Sequence, residues 1–157
     1  MKLVLLAVGP TDKGALSDLV ADFSQRISRY IPFEIKCIPD IRNRGQADPQ
    51  ALKQKEAEQL LKHLDERDMI LLLDETGKTF TSRQFAAYLQ KCMNAGPKRV
   101  VLVIGGAYGI GEPLRQRAAG SVSLSKMTFN HQVVRLMAVE QLYRGLSILR
   151  GDPYHND

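Results

Sequence analysis

Four glycines follow an apolar stretch in the segment Val101–Glu112, which reads VLVIGGAYGIGE. Glycine allows positive φ values and lets a ligand approach the backbone closely, so this pattern is typical of a ligand-binding turn. The chain does not match either common phosphate-binding pattern. The P-loop pattern fails after Gly9–Gly14, because Ala15 and Leu16 stand where lysine and serine or threonine are required. The dinucleotide pattern fails because the glycine spacing differs and the segment follows the fourth predicted strand. A tight turn without a ligand is the alternative interpretation.

Two other apolar stretches end in loops that can lie beside these glycines. Leu71–Lys78 reads LLLDETGK, with a glycine-containing turn after the apolar residues, and Leu124–Phe129 reads LSKMTF. In a parallel sheet, ligands bind at the carboxyl ends of the strands, where such loops meet. The three loops together supply backbone amide and carbonyl groups and Leu, Met and Phe side chains, without concentrated positive charge. Such a pocket suits a flat heterocycle, such as the adenine of a sulfonium cofactor, better than a diphosphate.

Strands and helices alternate along the chain and predict the elements that position these loops. The predicted strands are Lys2–Gly9, Phe33–Ile38, Asp68–Asp74, Arg99–Ile104 and Ser121–Ser125. The predicted helices are Gly14–Tyr30, Pro49–His63 with Asp48 as its cap, Thr81 or Ser82 to Met93, Pro113–Ala119 and His131–Leu149. A loop containing Gly and Arg is predicted for Ile41–Asp48. This order predicts an α/β fold with one mostly parallel sheet, helices on both faces and a single domain over residues 1–157.

The composition is that of a globular protein: 44% of the 157 residues are hydrophobic and 25% are charged. The net charge of +5 fits contact with nucleic acid, and it also fits solubility alone, because the chain has no basic tract. Cys37 and Cys92 lack the spacing of metal ligands, which predicts reduced, semi-buried thiols, a cytoplasmic location and no metal site. No signal peptide is predicted, and no apolar run approaches the roughly 20 residues of a membrane span.

The most specific pattern lies in the last third of the chain. Ser125–Arg144 reads SKMTFNHQVVRLMAVEQLYR, and it stands downstream of the IGG of the glycine segment. Together with the initial MKLVLLAVG, LLLDETGK and the terminal Pro153–His155, this pattern resembles the RlmH (YbeA) family of the SPOUT methyltransferase superfamily over essentially the whole chain. The resemblance implies an α/β sheet whose C-terminal part, roughly residues 100–157, is tied into a deep trefoil knot, a rare exception among protein chains.

The resemblance also implies the activity. Family members bind S-adenosylmethionine in the knot and methylate N3 of a pseudouridine in 23S ribosomal RNA of the large subunit, and we expect assembled ribosomes to be the substrate. Carried over by position, the cofactor-binding residues are Leu73, Gly105, Leu124, Ser125, Lys126, Met127, Thr128 and Phe129. Methyl transfer from a sulfonium needs no metal. Two other functions stay open: a non-enzymatic RNA- or ribosome-binding module of the same fold, and a methyltransferase of this superfamily that acts on tRNA.

Methylation at N3 requires the nitrogen to be placed in line with the methyl group and its proton to be removed. By the resemblance, Tyr154 and His155 form a tail that reaches the active site, where His155 would orient or deprotonate the base. A disordered terminal histidine is the alternative. His131, at the start of the last helix, is interpreted as structural rather than catalytic.

Two arginines of the last helix, Arg135 and Arg144, are the candidates for binding phosphate or stabilising the anion of the deprotonated base. Because Glu140 and Arg144 are four residues apart, an ion pair between them is the alternative role for Arg144.

The last helix has too many apolar residues for a single stripe, which predicts that it is buried on more than one side. These residues are Val133, Val134, Leu136, Met137, Val139, Leu142, Leu146, Ile148 and Leu149. The resemblance implies that this helix forms a homodimer, and a central core helix in a monomer is the alternative. Since the chain has no added RNA-binding domain, we expect one subunit to bind the cofactor while its partner contacts the ribosome.

Overall fold

The structure is a computed structural model, and it describes residues 1–41 and 48–157. The predicted loop Ile41–Asp48 therefore falls mostly outside the described residues. Strands and helices alternate as expected. The strands are β1 Lys2–Val8, β2 Phe33–Ile38, β3 Asp68–Thr79, β4 Arg99–Ile104 and β5 Gly120–Ser123. The helices are α1 Ala15–Ser28, α2 Pro49–Leu61, α3 Ser82–Asn94, α4 Glu112–Arg117 and α5 Val133–Arg150.

The five strands form one sheet in the order β2-β1-β4-β3-β5, and every pair is parallel. The predicted parallel α/β sheet is therefore confirmed. Lys2 of β1 pairs with Arg99 of β4, and Asp68 of β3 pairs with the same Arg99. Because all strands run in one direction, the loops after β1, β3, β4 and β5 leave from one edge of the sheet.

Helices cover both faces of the sheet, and alternate residues of each strand contribute to two separate cores. Leu3, Leu5 and Ala7 of β1 face α1, α3 and α5, and Val4, Leu6 and Val8 face α2 and α4. The continuous apolar run of β1 is explained by this burial on both faces. The predicted placement of helices on both faces is confirmed.

Strand β3 is longer than predicted. It continues past Asp74 to Thr79, with an irregularity between Leu73 and Lys78, and Lys78 and Thr79 again pair with β5. A Cβ added to Gly77 would lie 2.8 Å from the backbone carbon of Val122, so glycine permits this close approach to β5. The glycine that suggested a turn therefore belongs to a bulged strand, and the predicted end of the strand at Asp74 is wrong.

Local capping fixes the ends of the helices that flank the site. The Asp48 side chain accepts a hydrogen bond from the Gln50 N–H at 3.1 Å, and Pro49 occupies the first turn, as predicted. Helix α5 begins two residues after His131, because the Asn130 side chain accepts the N–H of Gln132 at 2.8 Å and thereby forms the turn before it.

The remaining expectations concern the thiols and membrane spans. Cys37 is exposed and Cys92 is buried, so neither is the semi-buried thiol that was expected. Within residues 1–41 and 48–157, no helix has both the length and the hydrophobicity needed to cross a membrane.

Candidate active site

A cleft of about 260 Å³ opens beside the bulge of β3 and at the carboxyl ends of β4 and β5. The bulged segment of β3, the loops after β4 and β5 and the first turn of α5 form its walls. The lining residues are Leu73, Asp74, Glu75, Ile104, Gly106, Ala107, Tyr108, Gly109, Leu124, Ser125, Met127, Thr128, Phe129 and Val134. The three loops that the sequence predicts to converge therefore do so in the structure.

Six of the eight predicted cofactor residues are in this lining, namely Leu73, Leu124, Ser125, Met127, Thr128 and Phe129. Gly105 and Lys126 are not in it, although each is next to a lining residue in sequence. A Cβ added to Gly105 would lie 2.7 Å from the carbonyl oxygen of Gly109, so Gly105 lets the loop fold back on itself. Gly106 and Gly109 form an antiparallel bridge in the same loop, and Gly109 has a φ of 89°.

The loop after β5 is shaped by two serines. The Ser123 hydroxyl donates to the carbonyl oxygen of Ser125 at 2.8 Å, and the Ser125 hydroxyl accepts the N–H of Met127 at 3.0 Å. Met127 is 76% exposed, and Tyr108, which also lines the cleft, is 54% exposed. The cleft thus has apolar side chains at its rim and backbone groups in its walls, which suits a flat apolar ring with polar edges.

Two acidic residues line the cleft and give it negative charge. The Asp74 carboxylate lies 2.5 Å from the Arg115 guanidinium and accepts the N–H of Thr76 at 3.3 Å. Burial disfavours ionisation of Asp74, but the hydrogen bonds from Arg115 and Thr76 outweigh burial and hold its pKa below the ordinary value. Glu75 is exposed at the same edge. Of the described residues in the lining, none is basic, so a polyphosphate would be poorly accommodated.

The predicted catalytic residues of the tail form a second cluster, on α5. Arg144 donates to the Glu140 carboxylate at 2.5 Å and lies 3.2 Å from Nδ1 of His155. The Tyr154 hydroxyl donates to the same carboxylate at 2.9 Å, and the Arg144 guanidinium lies 4.8 Å from the centre of the Tyr154 ring. The ion pair between Glu140 and Arg144, left open by the sequence, is present. The tail is packed against α5, because only 12% of the His155 side chain is exposed.

This tail cluster (Glu140, Arg144, Tyr154 and His155) is held by burial and charge. The hydrogen bond to Glu140 raises the pKa of Arg144, so this guanidinium stays positive at any pH relevant to the protein. Burial and the Glu140 carboxylate raise the pKa of the Tyr154 hydroxyl, which is therefore neutral at neutral pH. The Arg144 guanidinium is balanced by the Glu140 carboxylate, and its Nη1 side faces the histidine, so the cluster offers a held guanidinium rather than a free positive charge.

The tail cluster does not reach the cleft of its own chain. None of the described residues that line the cleft belongs to the tail cluster. Among them, Val134 is the one that lies on α5. Ten residues of helix separate Val134 from Arg144, a distance of about 15 Å along the axis. The cleft thus lies at the start of α5, whereas Arg144, Tyr154 and His155 lie towards its C-terminal end.

Arg135 does not meet the expectation that it contacts an RNA phosphate. Its side chain is fully buried, and its guanidinium donates to the carbonyl oxygens of Val8 at 2.7 Å and Gly9 at 2.9 Å. It also donates to the Thr11 hydroxyl at 3.0 Å and to the His131 carbonyl oxygen at 3.2 Å. These four bonds engage all three nitrogens of the guanidinium, so Arg135 fixes the loop after β1 to α5.

Several lining residues were not named from the sequence as binding residues: Asp74, Glu75, Ile104, Gly106, Ala107, Gly109 and Val134. Most of them lie in the two segments that were singled out, LLLDETGK and VLVIGGAYGIGE, and their position at strand ends was the available signal. Val134 had no such signal, because it lies in a helix. Among the described residues, no group of three or more His, Cys, Asp or Glu side chains could hold a metal ion.

Comparison with known proteins agrees with this geometry. A family model described as "Predicted SPOUT methyltransferase" matches residues 1–155. A protein named "Ribosomal RNA large subunit methyltransferase H" from Flavobacterium johnsoniae is 49% identical over 156 residues, which is 99% of either chain. Proteins of the same name from Parabacteroides distasonis and Bacteroides thetaiotaomicron are 46% and 45% identical over 157 residues, all of either chain. The three-loop cleft, the match over residues 1–155 and these full-length relatives lead to one conclusion: this chain belongs to the SPOUT methyltransferase family.

Proposed function

We propose that this chain transfers a methyl group from S-adenosylmethionine to N3 of a pseudouridine in 23S ribosomal RNA. The observation that carries the proposal is the cleft beside the bulge of β3 and the ends of β4 and β5, in a chain whose full-length relatives are named large-subunit ribosomal RNA methyltransferases. The position N3 of a pseudouridine comes from the family resemblance of Ser125–Arg144. An assembled ribosome in the cytoplasm is the proposed substrate.

The residues of the cleft fit such a donor. Without side chains, Gly106 and Gly109 let a ligand approach the loop closely, and Leu73, Leu124 and Phe129 offer apolar surface to a flat base. The exposed acid Glu75 complements a positive charge, and the absence of basic residues from the described lining argues against a phosphate-containing ligand. When bound, the sulfonium donor supplies an activated methyl carbon.

Arg144 and His155 are the proposed active-site residues for the RNA base. A fixed positive charge at Arg144 would stabilise the deprotonated N3, and His155, 3.2 Å from it, would hold or accept the proton. Tyr154 positions Arg144 through their shared contact with Glu140. Since these groups lie far from the cleft of their own chain, the proposed site is completed by the tail cluster of a second subunit in a homodimer.

The proposed dimer interface is the outer face of α5. Val133 is 43% exposed there, and Met137 and Gln141 line a smaller cleft beside Leu124. An antiparallel α5 pair would bring the C-terminal end of one helix to the N-terminal end of the other, and hence a tail cluster to a cleft. Sedimentation of the protein at micromolar concentration tests the dimer, and Met137→Glu is expected to yield monomers that still bind the donor.

A deep trefoil knot in roughly residues 100–157 is also part of the proposal. The segment after β5 starts at one edge of the sheet and reaches the loop after β1, where the Gln132 side chain accepts the N–H of Asp12 at 2.8 Å and donates to the Pro10 carbonyl oxygen at 3.0 Å. It therefore crosses the ends of β3 and β4, beside the glycine loop. Tracing residues 100–157 in a crystal structure tests whether the chain is threaded.

The activity is tested by mass spectrometry of ribosomal RNA from cells with and without the protein. We expect one methyl group on a pseudouridine of 23S RNA to be lost with the protein and restored by purified protein, donor and ribosomes. Unchanged 23S RNA with a methyl group missing from tRNA would contradict the ribosomal substrate. Isothermal titration with S-adenosylmethionine separates an enzyme from a pure binding module, because the latter need not bind the donor.

A further inference from the structure

The glycine loop that lines the cleft has a buried carboxyl group behind it. Glu56 of α2 is only 6% exposed, and its carboxyl oxygens would lie 2.3 Å and 2.5 Å from a Cβ added to Gly106. The carboxyl group therefore occupies the space directly against Gly106. Gly106 also lines the cleft. One residue of the loop is thus placed between a proposed ligand and a buried acid.

Helix α2 supports the same loop at a second point. A Cβ added to Gly111 would lie 2.7 Å from the carbonyl oxygen of Lys53 and 2.8 Å from Cβ of Ala57. Lys53, Glu56 and Ala57 lie on one face of α2, at the i, i+3 and i+4 positions. Both ends of the glycine loop therefore rest on this face, and Glu56 is the polar contact within it.

Glu56 lies in surroundings that favour its neutral form. Burial and the nearby Asp40 carboxylate raise the pKa of Glu56, and a hydrogen bond from the Gly106 backbone opposes this rise. Within the described residues, Oε2 of Glu56 has no hydrogen-bond partner. A buried polar group without a full set of partners is costly, so a role beyond helix packing would account for its presence.

We propose that Glu56 is a positioning residue for the methyl-donor site: its side chain, packed against Gly106, holds the glycine loop in the shape that forms one wall of the cleft. The inference rests on the proposed function, because it concerns the same cleft. The contact requires a side chain of this length with an acceptor oxygen at its end, and it does not require a charge. Shortening the side chain leaves a void behind Gly106 into which the loop can withdraw.

The test is titration of S-adenosylmethionine into purified dimer at 15 °C, with thermal unfolding measured in parallel. We expect Glu56→Ala and Glu56→Asp to raise the Kd about tenfold and about threefold, respectively, and Glu56→Gln to match the wild type, because Gln keeps the length and the acceptor oxygen. In turnover assays, the KM for the donor should rise by the same factors while kcat at saturating donor stays within twofold. Glu58→Ala is the matched control, because Glu58 is exposed on the same helix and bonds only Gln54 among the described residues.

The outcomes separate the two proposals. If the wild type does not bind the donor, the proposed function fails. If the wild type binds it and the Ala and Asp variants bind with the same Kd, Glu56 does not position the loop, whatever happens to the melting temperature. Equal losses in Glu56→Gln and Glu56→Ala would also overturn the inference. Should Glu56→Ala fail to fold, Glu56→Asp and Glu56→Gln decide the matter by themselves.

Discussion

Two carboxylates of the cleft, Asp74 and Glu75, differ in their partners. Asp74 is paired with Arg115 and hydrogen-bonded by Thr76, and its side chain is only 8% exposed. Glu75 is exposed and its charge faces solvent at the same edge. Asp74 therefore stabilises the bulge of β3, and Glu75 is available to a bound cation.

Glu75 is expected to distinguish the charged donor from its neutral thioether product. Glu75→Gln should weaken S-adenosylmethionine about threefold and S-adenosylhomocysteine hardly at all, because an exposed charge contributes little and is screened by salt. Calorimetric titration of both ligands at low and at physiological ionic strength measures the ratio. Glu112→Gln, which changes an exposed acid outside the cleft lining, is the control. An equal effect on the two ligands would show that Glu75 does not sense the sulfonium.

Because of the Asp74–Arg115 pair, the free energy of unfolding should depend on pH at acidic pH. The pKa of Asp74 is lower in the folded protein than in the unfolded chain, so its contribution is fully present above the unfolded pKa of about 3.9 and is lost as the pH falls through the folded value. Asp74→Asn should therefore cost about 1 kcal/mol at pH 7 and pH 5, and less at pH 3. Urea unfolding at these three pH values measures the difference. A deficit that is constant down to pH 3 would contradict the assignment.

At the scale of single residues, the sequence predicted which segments line the cleft better than it predicted the surroundings of the two arginines. Apolar runs located the segments, and the eight residues carried over by the family resemblance fall in or beside the cleft. Arg135 and Arg144 have the same residue type and lie on the same helix, yet one is buried and the other holds the tail. Which side of α5 each occupies depends on packing against α1 and α3, and the helix is apolar on too many sides for the sequence to decide.

Helix α5 contributes to the cleft and carries the tail cluster. The Arg135 side chain anchors this helix to the sheet. Replacing Arg135 by Met removes the donors that satisfy the carbonyl oxygens of Val8 and Gly9. We expect the free energy of unfolding to fall by about 3 kcal/mol, because buried carbonyl groups are left unpaired. Urea unfolding measures it. Arg150→Met, at an exposed position of the same helix, should change the value by less than about 0.5 kcal/mol. Similar small effects for both variants would mean that water replaces the lost bonds.

Element boundaries were predictable wherever a local signal was strong. β2 and β4 have the predicted limits, and the Asp48–Pro49 start of α2 was identified by its cap. The extension of β3 to Thr79 was not predictable, because Gly77 is a turn signal on its own and becomes a strand residue only when β5 lies against it. A contact between distant segments decided that boundary.

For the whole molecule, the alternation of strands and helices was enough to predict the parallel sheet with helices on both faces. The knot and the dimer stay predictions, because neither threading nor association leaves a local pattern in the sequence. The separation of the tail cluster from the cleft within one chain makes the dimer the more consequential of the two.

Heterodimers with two different affinity tags test whether the tail acts across subunits. In one pair, the first subunit is wild type and the second carries two changes. Thr128→Trp fills the cleft of the second subunit, and a truncation after Asp152 removes its tail. We expect almost no methylation by this pair, since the intact cleft lacks a partner's tail. In the other pair, one subunit carries Thr128→Trp and the other carries the truncation. We expect roughly half of the wild-type activity, because the intact cleft of the truncated subunit still meets the tail of its partner. The opposite pattern would show that each chain uses its own tail.

The strand order has a consequence for how this protein is made. β1 is flanked by β2 and β4, and its Lys2 pairs with Arg99. At a synthesis rate of about 5–20 residues per second, one edge of β1 has no partner strand for about 5–20 s, until β4 has been translated. Its run of Leu and Val is exposed on a nascent chain throughout that interval, when chaperones would compete with aggregation for it. Translation speed between Phe33 and Arg99 should therefore affect the soluble yield more than speed in the last third of the message.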